Sequence, residues 1–386
     1  MRRAGLDCRP RVTASVLPED LQVPEELSRR KVRKQLLFLT GVVLVVVAVV
    51  TLLPGLDGLR ARLSHANPMW LVLGAGLKVL SGLGYVAIFR MVFCRRMSWR
   101  VSYQIGMSEM GANALLPTGG AGGLALGAWA LKRGGMPTAE IAWRTAAFFM
   151  LTSVANVAGV VLIGVGLAVQ LLPGETNLAL TLLPAAIAAA AIGCSLLAGR
   201  SSAGLHRRLD RKEASGASSR RSTLALKTLV AIADGVNEAV ALLREGNAWL
   251  IGGILAYLIF DVLILWATFR AFGASPPLAI LGMAYLIGEL GGLIPVPGGI
   301  GGVDAGLVGT FVLYNVPITA AASAVLAYRA IALWVPAILG SAAFVSLRRT
   351  LRRESAEIAV CAPQTEMEVI GLGSVLIGPE STVPQL

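Results

Sequence analysis

Charged residues and histidines are scarce in this chain of 386 residues. Only 15% of the residues are Asp, Glu, Lys or Arg, against about 25% in ordinary soluble domains, whereas 55% are hydrophobic. The two histidines, His65 and His206, lie outside the apolar runs, and the four cysteines form no CxxC pattern. This composition excludes a disordered chain, disfavours a soluble domain, and argues against a zinc centre or a histidine-dependent hydrolase. No metal site and no cofactor is predicted.

Common catalytic and nucleotide-binding motifs are also missing. The sequence has no GxSxG, no Walker A loop, no HExxH and no DxD-type cluster in a loop. These absences exclude an ATP-driven pump as a single chain, and no catalytic residue is predicted.

Long apolar runs, by contrast, recur along the chain. Many are close to the length of about 20 residues that crosses a bilayer as a helix. They predict an all-α polytopic integral membrane protein with spans at 35–53, 69–93, 138–169, 178–199, 248–272 and 318–347. Two further apolar stretches, 101–131 and 277–315, are each broken at the centre by Pro and Gly. We expect these two stretches to form re-entrant helical hairpins that return to the side from which they enter.

The basic residues indicate the orientation. With both hairpins re-entrant, the predicted inner segments carry 27 Lys and Arg and the outer segments carry 3. By the positive-inside rule, both termini lie in the cytosol of a bacterial-type plasma (inner) membrane. We ascribe the basic charge to topology and to attraction by anionic lipid, and we expect no nucleic-acid partner. The predicted division is a basic cytosolic arm (1–34), a first membrane half (35–199), a basic cytosolic loop (200–247), a second membrane half (248–347) and a cytosolic tail (348–386).

The cytosolic loop has two parts. Its Arg- and Ser-rich beginning, 200–221, is expected to be flexible. From 222 to 247, apolar residues at spacings of three and four predict an interfacial helix, with Leu229, Ala233, Val236, Val240 and Leu243 on one face.

An internal repeat links the two broken stretches. Gly119-Gly120-Ala121-Gly122-Gly123 and Gly298-Gly299-Ile300-Gly301-Gly302 are both GGxGG, and each follows a proline. The charge-derived topology makes the two hairpins antiparallel, as in the inverted repeats of secondary transporters. A helix that restarts after such a break points its N-terminal amides into a cavity, where anions bind. The alternative is that these glycines only let helices pack closely.

Nine ionisable residues lie at lipid depth in the apolar stretches, and most must pair, reach the interface or line a wet cavity. They are Lys78, Arg90, Glu109, Glu140, Arg144, Asp261, Glu289, Asp304 and Arg329. Arg90 is expected to reach the interface, and Glu140 and Arg144 to form an i,i+4 pair. Whether Lys78 and Asp261 pair with each other or contact substrate is left open.

Arg329 is the strongest candidate for binding, because it lies near the middle of the last span and its guanidinium can hold a phosphate in a bidentate manner. Asp304 and Glu289 would hold Arg329 or a cationic head group, and Asn113 would satisfy backbone groups freed at Pro117. The predicted lipid-binding residues are Gly119, Gly120, Gly122, Gly123, Gly298, Gly299, Gly301, Gly302, Arg329, Asp304, Glu289, Glu109, Tyr328 and Asn113.

Two stretches of the second half carry a family resemblance. They read Ile294-Pro-Val-Pro-Gly-Gly-Ile-Gly-Gly-Val-Asp-Ala and, after Asn315-Val-Pro317, Ala327-Tyr-Arg-Ala-Ile-Ala-Leu-Trp-Val-Pro336. This glycine turn, followed by an acid and by Tyr-Arg in the next helix, resembles the lysylphosphatidylglycerol synthase transmembrane family, also called flippase-like proteins. The resemblance covers 35–347. The first half, Asn113-Ala-Leu-Leu-Pro-Thr-Gly-Gly-Ala-Gly-Gly, matches less closely, because glycine and alanine stand where many members carry an Arg and a Gly-Glu pair.

The resemblance implies a function in lipid movement. In the multiple-peptide-resistance members this membrane region moves aminoacylated phosphatidylglycerol between leaflets, and a separate soluble domain attaches the amino acid. We therefore expect a flippase or translocator for an aminoacylated phospholipid or a related anionic lipid, without aminoacyl transfer. Two alternatives stay open: a membrane-embedded head-group transferase with Asp304 or Glu289 as general base, and a scaffold subunit that presents lipid to a separate lipid-modifying synthase.

Overall fold

The computed structural model describes residues 57–115, 121–173, 178–214, 220–291 and 301–353, together with Leu37 and Gly41. In these ranges the chain forms helices and no strand, which confirms the predicted all-α class. The helices are α1 (Asp57–Ser64), α2 (Pro68–Phe93), α3 (Trp99–Leu115), α4 (Ala121–Arg133), α5 (Thr138–Ala168), α6 (Leu178–Arg200), α7 (Ser202–Ala214), α8 (Arg220–Arg244), α9 (Ala248–Ala271), α10 (Leu278–Leu290), α11 (Gly302–Leu313) and α12 (Ile318–Arg353).

Four of the described helices are long and apolar enough to cross a membrane. They are α2, α5, α9 and α12, and they match four of the six predicted spans. The predicted span 178–199 is helix α6, whose apolar part, Leu182–Ser195, is shorter than a bilayer crossing. The predicted span 35–53 lies outside the described residues except for two positions. The chain is a multi-pass membrane protein.

Helices α2 and α9 pack against each other more extensively than any other pair of described helices. Each begins at an asparagine N-cap: Asn67 Oδ1 accepts the Met69 N–H at 3.0 Å, and Asn247 Oδ1 accepts the Trp249 N–H at 2.9 Å. The two backbones touch where Gly84 faces Gly253, since a Cβ on Gly84 would lie 2.7 Å from the Gly253 carbonyl oxygen. Small residues permit this approach between membrane helices.

Two pairs of short helices occupy the stretches predicted to be hairpins. Helices α3 and α4 have 17 and 13 residues, and α10 and α11 have 13 and 12, all fewer than the roughly 20 that cross a bilayer. The members of each pair pack against each other. Gly123 donates its N–H to Asn113 Oδ1 at 2.8 Å in the first pair, and Gly291 lies against the Gly302 backbone in the second. Re-entry into the membrane stays a prediction.

The two hairpins belong to opposite ends of the bundle. At one end, which we call the basic end, Arg95 ion-pairs with Glu245 and the rings of Trp99 and Trp249 lie 5.1 Å apart. At the other, which we call the proline end, Asn67 donates its N–H to the Ala271 carbonyl at 2.9 Å. The α3–α4 hairpin packs into the hydrophobic core at the basic end and the α10–α11 hairpin into that at the proline end. This arrangement agrees with an inverted repeat. The contacts of the predicted inner segments lie at the basic end, and those of the predicted outer segments lie at the proline end.

Helix α7 corrects one expectation, because 202–214 is helical where a flexible loop was expected. Leu205 and Leu209 are one turn apart and partly buried, and His206 Nε2 lies 2.9 Å from Asp234 Oδ2 of α8. These contacts hold the segment against α8. Its Arg and Ser content alone had suggested a flexible loop.

The predicted helix after it is confirmed as α8, but its buried face differs from the predicted one. The side chains that pack on the bundle are Val230, Ala233, Val236, Ala239 and Leu242. Leu229 and Leu243, which were placed on the same face, are 52% and 37% exposed. The helix contacts α5 and α6, so neighbouring protein selects the face that is buried.

Candidate functional site

The inner ends of both hairpins meet helix α12. In the first hairpin, Gly111 lies against Gly340, where a Cβ would come within 2.8 Å of the Gly340 Cα. In the second, Asp304 reaches Arg329. These two points on α12 are separated by eleven residues, or about 16 Å along a helix. Hairpins that belong to opposite ends of the bundle therefore pack on the same helix, one on each side of its middle.

The Arg329–Asp304 ion pair is the most accessible charge pair at this centre. Arg329 Nε lies 2.8 Å from Asp304 Oδ1, and the two side chains are 13% and 32% exposed. The other Asp304 oxygen accepts the Gly301 N–H at 2.8 Å, so the carboxylate also caps α11. Gly301 has a φ of +90° and no atom within 4 Å of the place a Cβ would occupy. The start of α11 thus combines a strained turn that favours glycine with open space.

A second, fully buried charge pair lies nearby and decides a question that the sequence left open. Lys78 Nζ of α2 lies 2.8 Å and 3.1 Å from the two carboxylate oxygens of Asp261 in α9. Tyr285 of α10 donates its hydroxyl to Asp261 at 3.2 Å. The side chains of the pair are only 8% and 4% exposed, so Lys78 and Asp261 pair with each other.

Glu289 and Tyr328 belong to the same electrostatic neighbourhood. Glu289 interacts with Asp261, Lys78 and Arg329, and Tyr328 interacts with Asp261, Glu289 and Arg329. Four of the predicted residues of the second half, Glu289, Asp304, Tyr328 and Arg329, are therefore gathered by the fold.

The predicted residues of the first hairpin form a separate group. Glu109 is 1% exposed, hydrogen-bonds with Tyr85, and has one carboxylate oxygen with no hydrogen-bond partner among the described residues. Its carboxyl group packs on Gly127, within 3.3 Å of the place a Cβ would occupy. Asn113 holds the Gly123 N–H near the start of α4, as described above. The backbone at Pro117, which this side chain was predicted to satisfy, lies outside the described residues.

The described glycines of the repeat differ in their roles. Gly123 has no room for a Cβ because Asn113 and the Glu109 carbonyl fill the space, so it serves close packing of α3 on α4. Gly301 serves the turn before α11, and Gly302 packs against Gly291. Gly122 is buried in α4. The remaining motif glycines, Gly119, Gly120, Gly298 and Gly299, lie outside the described residues.

Three of the ionisable residues belong to structural contacts at the basic end. Arg90 donates from Nε to the Met97 carbonyl at 2.8 Å, and it also holds the Arg95 carbonyl. Arg144 pairs with Glu140 at 2.6 Å, which confirms the predicted i,i+4 pair, and it donates to the Phe93 carbonyl.

Sequence reasoning missed the tyrosines that accompany the acids. Tyr257 and Tyr285 each lie four residues before an acid of the same helix, Asp261 and Glu289, and both are electrostatic neighbours of these acids. A search for Tyr at i and Asp or Glu at i+4 within apolar runs finds both. No group of three or more His, Cys, Asp and Glu able to hold a metal ion occurs in the described ranges.

A comparison with models of known protein families shows to which family the chain is related. The model of the lysylphosphatidylglycerol synthase TM region matches residues 38–340, which is most of the chain. The chain belongs to this family. The match includes both hairpins and the part of α12 that holds Arg329, so the site described above lies within the region that defines lysylphosphatidylglycerol synthase TM proteins.

Two archaeal relatives of this family member are described as UPF0104 membrane proteins. The one from Methanocaldococcus jannaschii is 30% identical over 97 residues, which cover 25% of this chain and 29% of that protein. The one from Methanothermobacter thermautotrophicus is 29% identical over 105 residues, which cover 26% of this chain and 31% of that protein. The matched stretches thus span less than a third of each relative. No solved structure matched.

Proposed function

We propose that this protein moves an anionic phospholipid, aminoacylated or not, between the two leaflets of the membrane. The observation that carries the proposal is that two hairpins from opposite ends of the bundle pack on one helix, α12, which also holds the Arg329–Asp304 ion pair. In the proposed cycle, one hairpin moves while the other stays packed in its own core. Such an arrangement suits a site that is exposed to one leaflet at a time.

A lipid phosphate can take the place of Asp304 on Arg329. The guanidinium offers several N–H donors in a planar fork, and it binds phosphate as well as carboxylate. Because Asp304 is one-third exposed and also caps α11, release of Arg329 leaves it with a partner at Gly301. The ion pair would close in the empty state and open in the lipid-bound state. A differential contact of this kind is required for a ligand to shift a conformational equilibrium.

Acidic side chains in the two hairpins suit the rest of an aminoacylated head group. Glu289 lies in the neighbourhood of Arg329. Glu109, in the separate group of the first hairpin, has one carboxylate oxygen with no hydrogen-bond partner among the described residues. An amino group on the lipid would interact with such carboxylates, while the acyl chains stay in the bilayer. We also propose a bacterial-type inner membrane location with cytosolic termini, supported by the Lys and Arg distribution.

The test is movement of labelled phosphatidylglycerol and lysyl-phosphatidylglycerol between leaflets of liposomes that contain the purified protein. We expect wild type to move at least one of these lipids and Arg329→Ala to slow that movement by about tenfold or more, since loss of a charged phosphate contact is worth about 1.5–3 kcal/mol. Arg349→Ala is the matched control, because Arg349 lies on the same helix and is exposed. It should behave as wild type.

Two results would contradict the proposal. One is a folded wild-type protein that moves neither lipid, and the other is Arg329→Ala moving lipid as fast as Arg349→Ala. The transferase alternative would appear in the same liposomes as a chemically altered head group. Both oxygens of Asp304 are already engaged, so the geometry does not favour this residue as a general base.

A further inference from the structure

Glu109 of α3 differs from the other acids of the apolar stretches, because it has no cation among its electrostatic partners in the described residues. The other four acids each have at least one: Arg144 for Glu140, Lys78 for Asp261, Lys78 and Arg329 for Glu289, and Arg329 for Asp304. Glu109 is also the most deeply buried of the five, with 1% of its surface exposed. Deep burial and the lack of a counter-ion therefore coincide at this residue.

Helices α2, α4 and α12 pack against α3, and the Glu109 carboxyl group meets no charge on their described residues. On α2 its partner is the Tyr85 hydroxyl, and the Tyr257 ring of α9 lies 5.7 Å from the Tyr85 ring. On α4, the place that a Cβ of Gly127 would occupy lies 3.2 Å from Oε2. Helix α12 packs on α3 through Gly340. In these surroundings Oε2 is buried and has no hydrogen-bond partner among the described residues.

The charged side chains of α3 and of its three neighbouring helices do not accompany Glu109. The described cations are Lys78 and Arg90 of α2, Arg100 of α3, Lys132 and Arg133 of α4, and Arg329, Arg348 and Arg349 of α12. None of them is an electrostatic partner of Glu109. Helices α2, α4 and α12 also contain no Asp or Glu, so no second carboxylate on them can share a proton with Glu109.

A carboxylate at this place would be a buried charge without a counter-ion. Its transfer from water is so unfavourable that a carboxyl group in such surroundings takes up a proton and becomes neutral. Asp261 shows the contrast, because it is nearly as buried but Lys78 Nζ lies 2.8 Å from its Oδ1. The fold thus neutralises Asp261 with a lysine and leaves Glu109 to be neutralised by a proton.

From these contacts we infer that Glu109 is a proton-binding site, which is occupied while the α3–α4 hairpin is closed on α2. The proton comes from water and returns to water. The carboxylate takes it up as the hairpin closes, and the carboxyl group releases it when opening of the hairpin admits solvent. The inference concerns the protein without lipid and does not rest on the proposed lipid movement.

Proton binding and closure of the hairpin are therefore linked. A solvated glutamate is ionised above about pH 4.3, so at neutral pH the closed state holds one proton more than the open or unfolded state. Raising the pH then favours opening, by up to about tenfold in the equilibrium constant per pH unit. Glu109→Gln has no proton to lose, so this variant should lack the dependence.

The first experiment is infrared spectroscopy of the full-length protein at neutral pH, in a detergent that contains no carbonyl group. We expect the C=O stretching band of a protonated carboxyl group in wild type and the loss of that band from Glu109→Gln. Glu245→Gln is the matched control, because Glu245 is 51% exposed and pairs with Arg95, and it should keep the band. A band of equal strength in wild type and Glu109→Gln would overturn the inference.

Tyr85→Phe keeps the inference testable if Glu109→Gln does not fold. This variant retains the Glu109 carboxyl group but removes its hydrogen-bond partner, so the band should persist and shift in frequency. A band that Tyr85→Phe leaves in place would assign the proton to another residue. Arg329→Ala should leave the band unchanged, so failure of this inference is distinguishable from failure of the proposed lipid movement.

The second experiment measures the midpoint of thermal unfolding at neutral pH and above. As the pH rises, the midpoints of wild type and Glu245→Gln should fall more steeply than the midpoint of Glu109→Gln. The difference should approach a change of about tenfold in the unfolding equilibrium constant per pH unit. Parallel curves for wild type and Glu109→Gln would overturn the link between the proton and the closed hairpin.

Discussion

Lys78→Met will lower the free energy of unfolding by about 3–5 kcal/mol, the usual effect of removing one partner of a buried ion pair. The variant leaves the Asp261 carboxylate 96% buried, and among the described residues the Tyr285 hydroxyl is its one remaining hydrogen-bond donor. An unpaired charge in such a place is strongly disfavoured. The measurement is the midpoint of thermal or denaturant unfolding in detergent, followed by tyrosine and tryptophan fluorescence.

Two controls make this prediction specific. The double variant Lys78→Met, Asp261→Asn removes both charges and keeps an acceptor for Tyr285, so it should recover most of the lost stability. Glu140→Gln breaks a pair whose side chains are 21% and 24% exposed, and it should change stability by about 1 kcal/mol or less. If the double variant is as unstable as Lys78→Met, burial of an unpaired charge is not the cause.

The same double variant also tests the role of the pair. Lys78 bonds to both carboxylate oxygens of Asp261, and Asp261 also accepts from Tyr285, so the pair is buried and mutually bonded. We therefore expect the refolded or stabilised double variant to keep lipid movement within about threefold of wild type, a difference of less than 1 kcal/mol. Complete loss of movement with stability restored would instead assign the pair to the transport cycle.

Gly84→Ala will destabilise the contact between α2 and α9 by about 1–3 kcal/mol, the usual effect of overpacking a filled interface. The added Cβ would lie 2.7 Å from the Gly253 carbonyl oxygen and 2.8 Å from the Tyr257 nitrogen. Both neighbours are backbone atoms of α9, so the two helices must separate to make room. Because this pair also holds Lys78 against Asp261, the midpoint of unfolding should fall markedly.

Matched glycines on the same two helices supply the control. Gly76 of α2 and Gly252 of α9 have no atom within 4 Å of the place a Cβ would occupy. Alanine at either position should leave stability unchanged or raise it slightly, since alanine favours the helix over glycine by about 1 kcal/mol. Equal effects of Gly84→Ala and Gly76→Ala would contradict close packing as the reason for glycine at position 84.

Individual helices show how much of the fold could be predicted from the sequence. The apolar runs predicted both ends of α2, α5 and α9 to within one residue, and the start of α12, which continues six residues beyond the predicted end at 347, because length and hydropathy alone define a bilayer crossing. The breaks near Pro117 and Pro297 correctly divided each of the two stretches into a pair of short helices. Helix α7 was missed because its stability comes from contacts with α8 rather than from its own composition.

The candidate site, too, could be predicted only in part from the sequence. Reasoning from the sequence could name Arg329, Asp304 and Glu289 as exceptional, because charges in apolar runs are costly wherever they point. It could not choose between partners: Asp304 was left between Arg329 and a head group, and Lys78 between Asp261 and substrate. In the structure, Arg329 lies 2.8 Å from Asp304 and Lys78 lies 2.8 Å from Asp261, so each of these acids pairs with a residue of the protein. The lack of a cation beside Glu109 among the described residues had no signal in the sequence, since the surroundings of this residue come from three other helices.

The amino-acid sequence by itself determined that this is a multi-pass helical membrane protein with two broken, repeated elements and a set of intramembrane charges. These properties depend on local composition and period, which need no knowledge of neighbours. Only the tertiary structure decided which charges pair, which glycines serve packing and which serve a turn, and that the two hairpins meet at one helix. Those properties depend on contacts between distant residues, such as Lys78 and Asp261, which are 183 positions apart, and such contacts leave no mark in any single stretch of the chain.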